Sequence, residues 1–336
     1  MGPDPGPRAV DPPRARSTGV TLGRPLRGRT ALITGGSRGI GAATAQTLAA
    51  MGASVVVTYR DSRTAAEKLA ARLRAEHDVV AHAAMFDLSA SEQEPAGVGE
   101  LLQSVRNITG RIDVVVANAA APYPKVPLME LSAEDLSRKI AQDIGITHRL
   151  VTSVAPGMLE RGYGRIVLIG SLHAKGPSAI GMTANGVTRA ALAAYVAYAA
   201  DELTGPGVTV NTIHPGYIAT DASSHLPAAI TRVLEALTPA GRMGVSGDVA
   251  GAVAMLTREE ATFVNGVCIP VSGGLNHPVS FRRLVSHTAF VARSSPRSGT
   301  CSLTTSPTMT SAPTTSTTSP ARSSTKHNAP ADSSPS

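Results

Sequence analysis

Short apolar segments separated by helical patterns constrain the fold of this chain most. Seven of them are rich in β-branched residues: Thr30–Thr34, Ser54–Tyr59, Val79–Phe86, Ile112–Ala117, Arg165–Gly170, Val208–His214 and Gly266–Val271. Strands of this nearly continuous apolar character are typical of a parallel sheet that is covered on both faces. Helical patterns lie between them, among others at Ile40–Met51, Ala65–Glu76, Glu134–Glu160 and Thr188–Leu203. This alternation predicts an α/β fold with one doubly wound parallel sheet of about seven strands and helices on both faces.

Composition divides the 336 residues into three regions. Residues 1–28 are rich in Pro and Arg, and residues 277–336 form a low-complexity tail rich in Ser, Thr and Pro. Neither composition can bury a core, so we expect the N-terminal extension to be disordered. Residues 29–276 contain all seven strand segments and have the size of a single α/β domain.

The charge of the chain lies at its two ends. A net charge of +7 and a pI near 9.8 suggest a nucleic-acid binder at first sight. Residues 1–29 have six Arg and two Asp, and residues 276–336 have five Arg, one Lys and one Asp. The ends thus contribute +4 and +5 of the total of +7, which leaves −2 for residues 30–275. Because the middle has no basic stripe, no nucleic-acid partner is expected.

Other classes of protein are disfavoured by what the sequence lacks. It has no apolar run of about eighteen residues and no apolar stretch near the N-terminus, so we expect neither a membrane span nor a secretory signal. Two cysteines cannot build a disulfide framework, which favours a reducing, cytoplasmic location. No His/Cys cluster has zinc-like spacing, so no metal is predicted.

A glycine-rich turn follows the first predicted strand and opens the first predicted helix. Its residues are Thr34, Gly35, Gly36, Ser37, Arg38, Gly39, Ile40 and Gly41. Small residues let the backbone approach a phosphate closely, and a helix N-terminus supplies free N–H groups. The alternative is an ordinary glycine-rich βα loop. Its place on the first strand–turn–helix unit of a parallel sheet favours a dinucleotide site.

The end of the second predicted strand bears on which dinucleotide binds. A site for NAD usually has an acidic residue there to hold the ribose 2′-hydroxyl, whereas this chain has Tyr59 followed by Arg60. With Arg38 and Ser62, the Arg60 guanidinium can hold a 2′-phosphate through charge-assisted hydrogen bonds. The sequence therefore predicts NADP(H) over NAD(H). In the alternative, Asp61 turns inward and holds the ribose.

Further motifs occur in a fixed order along residues 28–274. They are Asp87-Leu88 after the third strand, Ala117-Asn118-Ala119-Ala120 after the fourth, Ser171 after the fifth, Asn211, Pro215-Gly216 and Thr220 around the sixth, and Ser272-Gly273-Gly274 at the end. With the glycine turn they resemble the short-chain dehydrogenase/reductase family. The resemblance implies one Rossmann-type, NADP-binding domain over residues 29–276. The stretches Gly186–Leu192, Ile218–Pro227 and Thr238–Arg242 look most like the enoyl-acyl-carrier-protein reductase branch.

The resemblance implies that residues at the strand ends bind the cofactor. Those beside the adenine and along the cleft would be Asp87, Leu88, Asn118 and Ala119. Those that hold the nicotinamide carboxamide would be Pro215, Gly216, Ile218 and Thr220. For Asn118 we weigh equally a second role, in which its amide only fixes the loop.

The catalytic positions of the family are changed in this sequence. The family's usual reaction needs a Tyr four residues before a Lys, and counting along the motifs places these positions at Asn185 and Arg189. The enoyl-reductase branch has its Tyr seven residues before the Lys, which is Met182 here. Asp143 stands where the family has a proton-relay Asn. Of the four usual catalytic positions, only Ser171 is retained.

The residues at these positions can still polarise a carbonyl group. Ser171 and Asn185 can donate neutral hydrogen bonds, and Arg189 can bind the ribose hydroxyls but cannot act as an acid near neutral pH. The set predicts an oxyanion site, which favours enoyl reduction because an enolate oxygen only needs stabilising. An ion pair between Asp143 and Arg189 is expected. His173 is an outside candidate for the missing acid.

Three functions follow from this pattern. The first is an NADP(H)-dependent oxidoreductase that reduces a keto or enoyl group of a small-molecule or acyl-carrier-bound thioester or polyketide-like substrate. The second is a non-redox cyclase or dehydratase on the same scaffold, and the third is a catalytically silent NADP-binding protein. The family usually associates through two long helices, here Glu134–Glu160 and Thr183–Leu203, so we expect a homodimer or homotetramer. In the alternative, these helices are buried within one subunit.

Overall fold

The structure is a computed structural model that describes residues 23–88, 96–176, 180–203, 205, 207–224 and 226–275. Most of the predicted N-terminal extension and all of the predicted tail at 277–336 lie outside the described residues. The single domain predicted over residues 29–276 corresponds to nearly all of the described part of the chain.

Parallel strands form the central sheet. They are β1 Thr30–Ile33, β2 Ser54–Tyr59, β3 Ala81–Met85, β4 Val114–Ala117, β5 Gly164–Ile169, β6 Val208–Pro215, and, after the short pair β7 Ile218–Ala219 and β8 Gly244–Val245, β9 Cys268–Val271. The order across the seven-stranded sheet is β3-β2-β1-β4-β5-β6-β9, with β7 and β8 paired separately. The predicted α/β Rossmann-type fold is confirmed. Strand order reverses between β1 and β4, and α/β sheets bind ligands in the crevice at such a point.

Helices cover both faces of the sheet. The described helices are α1 Gly39–Ala50, α2 Arg63–His77, α3 Ala96–Thr109, α4 Ala133–Ile140, α5 Ile146–Glu160, α6 Thr183–Glu202, α7 Ala228–Leu237 and α8 Ser246–Thr257. Of these, α1, α2, α3, α5, α6 and α8 pack on the sheet. On one face, Ile33 and Val55 pack against α1, α2 and α8. On the other face, Leu32 and Val56 pack against α3, α5 and α6. Successive strand side chains point to opposite faces, so a strand buried on both faces needs an unbroken apolar run.

The helical pattern predicted over residues 134–160 contains a π-helical turn in the structure. After α4, the residues Ala141–Gly145 form a π-helical turn before α5 begins. The turn aims the Asp143 side chain at the loop after β4, where Asp143 Oδ1 accepts a hydrogen bond from the backbone N–H of Ala121 at 2.8 Å. The predicted helical pattern is present over the whole range, and the π-helical turn within it is a feature that the sequence did not predict.

Two negative findings apply to the described ranges. No helix there has the length and apolar character needed to span a membrane. Nor do those ranges contain three or more His, Cys, Asp or Glu side chains grouped to hold a metal ion.

Candidate active site

Gly39 and Gly41 are among the positions at which the turn between β1 and α1 requires glycine. Gly39 has a φ of +55°, in the left-handed region that favours glycine. At Gly41, a Cβ atom would lie 2.4 Å from the carbonyl oxygen of Gly35. Arg38 is the N-cap residue of α1, and its side chain makes no capping hydrogen bond. The first turn of α1 has no acidic residue. The first N–H groups of α1 are thus left for an anionic group, which fits the predicted phosphate.

Asn118 fixes this turn from the end of β4. Its Nδ2 donates to the carbonyl oxygens of Thr34 and Gly35, both at 3.0 Å. The backbone N–H groups of Asn118 and Ala119 donate to Thr34 Oγ1, also at 3.0 Å. The contacts give Asn118 the loop-fixing role that we weighed as an alternative.

A cavity lies over the carboxyl ends of β1, β2, β3 and β4. It is lined by Gly35, Ser37, Arg38, Tyr59, Arg60, Asp61, Ser62, Phe86, Asp87, Leu88, Asn118, Ala119, Ala120, Ala121 and Pro122. The structure thus brings most of the predicted cofactor residues to one place, at the crevice where strand order reverses. Ile40 differs from them, since its side chain packs against the apolar core.

Two arginines line this cavity with exposed side chains, Arg38 in the glycine turn and Arg60 after β2. Arg60 Nε donates to Asp61 Oδ2 at 2.7 Å, and this bond raises the pKa of Arg60. In the predicted NADP(H) site Arg60 of this pair faces the cofactor, whereas in the alternative Asp61 faces it. An arginine suits a phosphate, and a carboxylate suits a ribose hydroxyl.

The residues predicted to hold the nicotinamide follow β6. Pro215 is the last residue of β6, and a Cβ atom on Gly216 would lie 3.0 Å from Ser272. Thr220 lies against the glycine turn, since a Cβ atom on Gly39 would be 3.7 Å from Thr220 Cγ2. The Ile218 side chain is buried in the core. Of this set, the structure places Thr220 beside the predicted phosphate site.

A polar cluster stands where β5 ends. Ser171 Oγ lies 3.1 Å from His173 Nδ1, and the same nitrogen lies 3.2 Å from Asn185 Nδ2 on the first turn of α6. The backbone N–H of His173 also donates to Ser171 Oγ at 3.2 Å. The structure therefore joins Ser171, the outside candidate His173, and the residue at the predicted tyrosine position.

The imidazole of His173 is held in its neutral form. Burial, and after it the positive charge of Arg189, lowers the pKa of His173 below its usual value of 6.5. A neutral imidazole has one nitrogen that accepts and one that donates, so it can orient Ser171 and Asn185 but is a weak acid at neutral pH.

Buried charges surround Asp143 in the π-helical turn. Its Oδ2 lies 2.8 Å from Lys139 Nζ and 3.5 Å from Arg189 Nη2. Lys139 is 1% exposed and also donates to the carbonyl oxygen of Ala121 at 2.6 Å. Burial lowers the pKa of Lys139, and the Asp143 carboxylate opposes that shift. The structure contains the expected Asp143–Arg189 pair, but Lys139 is the closer partner.

Ala121 connects this charge cluster to the cavity. It lines the cavity, its N–H donates to Asp143, and its carbonyl oxygen accepts from Lys139. Two residues further on, the hydroxyl of Tyr123 contacts Met182 Sδ at 3.5 Å. The Lys139 ammonium lies 5.1 Å from the centre of the Tyr123 ring. The loop after β4 therefore contributes both to the cavity and to the polar site.

Comparisons with known proteins identify the family to which this chain belongs. A family model described as "Enoyl-(Acyl carrier protein) reductase" matches residues 35–276. The 3-oxoacyl-[acyl-carrier-protein] reductase FabG of Escherichia coli is 33% identical over 256 residues, which cover 74% of this chain and 98% of that protein. The chain belongs to the short-chain dehydrogenase/reductase family.

Two further relatives of this short-chain dehydrogenase/reductase extend the comparison. The 3-oxoacyl-[acyl-carrier-protein] reductase MabA of Mycobacterium tuberculosis is 31% identical over 252 residues, covering 75% of this chain and 94% of its own. A solved gluconate 5-dehydrogenase from Burkholderia cenocepacia, in complex with NADP and tartrate, has a TM-score of 0.67 and 31% identity, and covers 75% of this chain and 96% of its own.

Two polar residues of this short-chain dehydrogenase/reductase site were not identified from sequence. Lys139 stands four residues before Asp143, a spacing that pairs opposite charges on a helix, so that signal was available. Tyr123 lies in a loop with no periodic pattern, and only the folded chain brings its hydroxyl to Met182.

Proposed function

We propose that this short-chain dehydrogenase/reductase is an NADPH-dependent reductase of a keto or enoyl group in an acyl thioester, carried by an acyl carrier protein or by coenzyme A. One observation carries the proposal. Ala121 lines the nucleotide cavity and is hydrogen-bonded to the charge cluster of Asp143, Lys139 and Arg189, so the predicted cofactor site and the polar site are continuous. The names of the FabG and MabA relatives supply the substrate class.

The cofactor residues that we propose fit NADP(H). The glycine turn and the N-terminus of α1 would take the pyrophosphate, and Arg38 with Arg60 would take the 2′-phosphate. NADPH, when bound, supplies a hydride to the substrate. The gluconate 5-dehydrogenase named above binds NADP in its own crystal structure, which supports this choice.

The chain's own residues bind and polarise the substrate carbonyl in this proposal. Ser171 donates its hydroxyl proton to the carbonyl oxygen while its Oγ accepts from the His173 backbone N–H, and Asn185 donates one amide proton to the carbonyl and the other to neutral His173 Nδ1. Arg189 takes the place of the family's lysine and supplies positive charge, while Asp143 holds its guanidinium. We propose that Asn185 and Arg189 occupy the family's tyrosine and lysine positions, so the active site is an atypical one.

The proposal is tested by mixing the purified full-length chain with NADPH and three substrates. Acetoacetyl-CoA carries a keto group, crotonyl-CoA an enoyl group, and cyclohexanone is a simple ketone. We expect at least one thioester to support NADPH oxidation, which is followed at 340 nm. Its kcat/KM should be at least about tenfold higher than that of cyclohexanone, a difference that corresponds to the free energy of about one hydrogen bond to the thioester.

Other outcomes would assign other functions. Binding of NADPH without oxidation of any substrate contradicts the reductase proposal and favours a non-redox enzyme or a silent nucleotide-binding protein. Absence of NADPH binding at millimolar concentration would contradict all three. Homodimer or homotetramer formation and a cytoplasmic location stay predictions; light scattering tests the first.

The Arg38→Ala variant tests the choice of cofactor. Removing one charge-assisted hydrogen bond to the 2′-phosphate costs about 1.5–3 kcal/mol, so the Kd for NADPH should rise about 10- to 100-fold. The Kd for NADH should not change, since NADH has no 2′-phosphate. Both are measured by fluorescence titration. Arg72→Ala, at an exposed position on α2, is the matched control. Equal weakening of both nucleotides would show that Arg38 does not read the phosphate.

A further inference from the structure

Three side chains from different segments of the chain, His173, Asp143 and Tyr123, meet one side of α6 and its N-terminal end. Met182 immediately precedes α6, and Asn185 and Arg189 follow at the three- and four-residue spacing that places residues on one helix face. His173 contacts Asn185, and Asp143 contacts Arg189. Tyr123 contacts Met182 through its hydroxyl. A phenol is therefore present at this site, although it comes from the loop after β4 rather than from α6.

Two sets of contacts fix the Tyr123 side chain. Its hydroxyl lies 3.5 Å from Met182 Sδ, one helical turn before Asn185. Its ring lies over the Lys139 ammonium at 5.1 Å, and Lys139 in turn holds Asp143 at 2.8 Å. The phenol thus lies between the Met182 end of α6 and the buried charges that reach Arg189.

The proton of this phenol is not committed to a strong acceptor. A thioether sulfur accepts hydrogen bonds only weakly, and it is the acceptor that the described residues offer to the Tyr123 hydroxyl. Counting along the family's motifs also places the tyrosine of the enoyl-reductase branch at Met182. The Tyr123 hydroxyl therefore reaches the neighbourhood of the replaced tyrosine by another route.

We propose that Tyr123 is a catalytic residue of this enzyme and donates a proton to the substrate oxygen, in place of the tyrosine missing at position 185. The inference rests on the proposed reductase function and adds to it the acid that Ser171, Asn185 and Arg189 lack.

In the proposed step, proton donation by Tyr123 accompanies hydride transfer from NADPH. The substrate carbon gains a hydride with its electron pair from NADPH, which is thereby oxidised to NADP⁺, and the substrate oxygen becomes anionic. The O–H bond of Tyr123 breaks, its proton bonds to that oxygen, and a phenolate is left on Tyr123. Water then returns a proton to the phenolate. A keto thioester yields the hydroxy thioester. An enoyl thioester yields an enol that tautomerises to the saturated product.

Opposing influences act on the acidity of the Tyr123 phenol, and their net effect makes it a weaker acid than a free tyrosine. Burial raises the pKa of Tyr123 above its usual value of 10.0, so the phenol is protonated throughout the neutral range. Arg189 lowers that pKa and Asp143 raises it. The positive charge of Arg189 therefore favours the phenolate that remains after donation. His173, whose pKa is lowered by burial and Arg189, carries little of the protonated form at pH 7.

The Tyr123→Phe variant tests the proposal, because it keeps the ring over Lys139 and removes only the hydroxyl. With acetoacetyl-CoA or crotonyl-CoA, we expect kcat to fall about 100-fold or more, the effect of losing a positioned general acid. The KM for the thioester should change by less than about threefold, and so should the Kd for NADPH measured by fluorescence. The wild type should also show a solvent deuterium isotope effect on kcat, from transfer of the phenolic proton.

Two further variants separate the outcomes. Tyr198→Phe removes a hydroxyl from a tyrosine that is 71% exposed on α6, and it should leave kcat unchanged. His173→Gln tests the other titratable group. If Tyr123→Phe keeps kcat within about threefold of the wild type while His173→Gln loses it, the proposal is overturned and the proposed reductase function stands. Loss of NADPH binding in Tyr123→Phe also overturns it, since the hydroxyl then has a structural role. If the wild type reduces no thioester, both proposals fail.

Discussion

Adding Asn185→Tyr and Arg189→Lys to the Tyr123→Phe variant is expected to raise the rate of acetoacetyl-CoA reduction about 100-fold or more above that of Tyr123→Phe alone. The two changes restore a phenol four residues before a lysine on the same face of α6, which is the family's arrangement. A positioned general acid contributes about 10²- to 10⁴-fold to such a reaction. Lysine at position 189 keeps a positive charge opposite Asp143, so the buried carboxylate keeps its partner.

The control for this triple variant differs by one oxygen atom. Asn185→Phe replaces Asn185→Tyr and introduces the same ring without the hydroxyl. The rates of both variants are measured at equal saturation with NADPH, so that cofactor affinity does not enter the comparison. Equal rates for the two would show that proton donation does not limit this enzyme, and would remove the reason for seeking a replacement acid.

Lys139→Met is expected to lower the free energy of unfolding by about 3 kcal/mol. Breaking a buried ion pair from one side costs about 3–5 kcal/mol, because the remaining charge stays buried without its partner. Arg189 still lies 3.5 Å from the Asp143 carboxylate and the Ala121 N–H still donates to it, so the low end of that range applies. In a domain of this size the melting temperature should fall by roughly 6–12 °C. Urea and thermal unfolding measure both quantities.

Two control variants distinguish charge from packing. Arg138→Met removes an exposed ion pair with Asp135 from the same helix and should cost less than about 1 kcal/mol. In Lys139→Met/Asp143→Asn the remaining cation, Arg189, has lost its counterion, so we expect this double variant to be less stable than Lys139→Met. If the double variant is as stable as Lys139→Met, the buried charges contribute little, and the loss in Lys139→Met comes from packing of the lysine chain.

The sheet was predictable because its signal is local. All seven predicted strands occur, and β2 has the predicted bounds Ser54–Tyr59, since a strand buried on both faces needs an unbroken apolar run. The errors lie at strand ends: β3 begins at Ala81 rather than Val79, and β9 at Cys268 rather than Gly266. Pairing with the next strand, rather than composition, decides where a strand stops.

The polar site was predictable only in part. The order of the motifs placed Ser171, Asn185 and Arg189 at the ends of β5 and on α6, and the expected ion pair of Asp143 with Arg189 is present in the structure. Lys139 and Tyr123 were missed. The four-residue spacing of Lys139 and Asp143 was an available signal, whereas Tyr123 depends on how the loop after β4 packs against α6, which leaves no periodic pattern in the sequence.

The buried trio of Lys139, Asp143 and Arg189 limits which single substitutions the fold tolerates at these positions. Two cations share one anion there, so exchanging Asp143 alone for a neutral residue leaves like charges facing each other without a counterion. Exchanging either cation alone weakens the compensation of that anion. Changes at these three positions would therefore need coordinated exchanges, because each single exchange is expected to lower the stability of the fold. The effects of substitutions at the three positions are therefore expected to be non-additive.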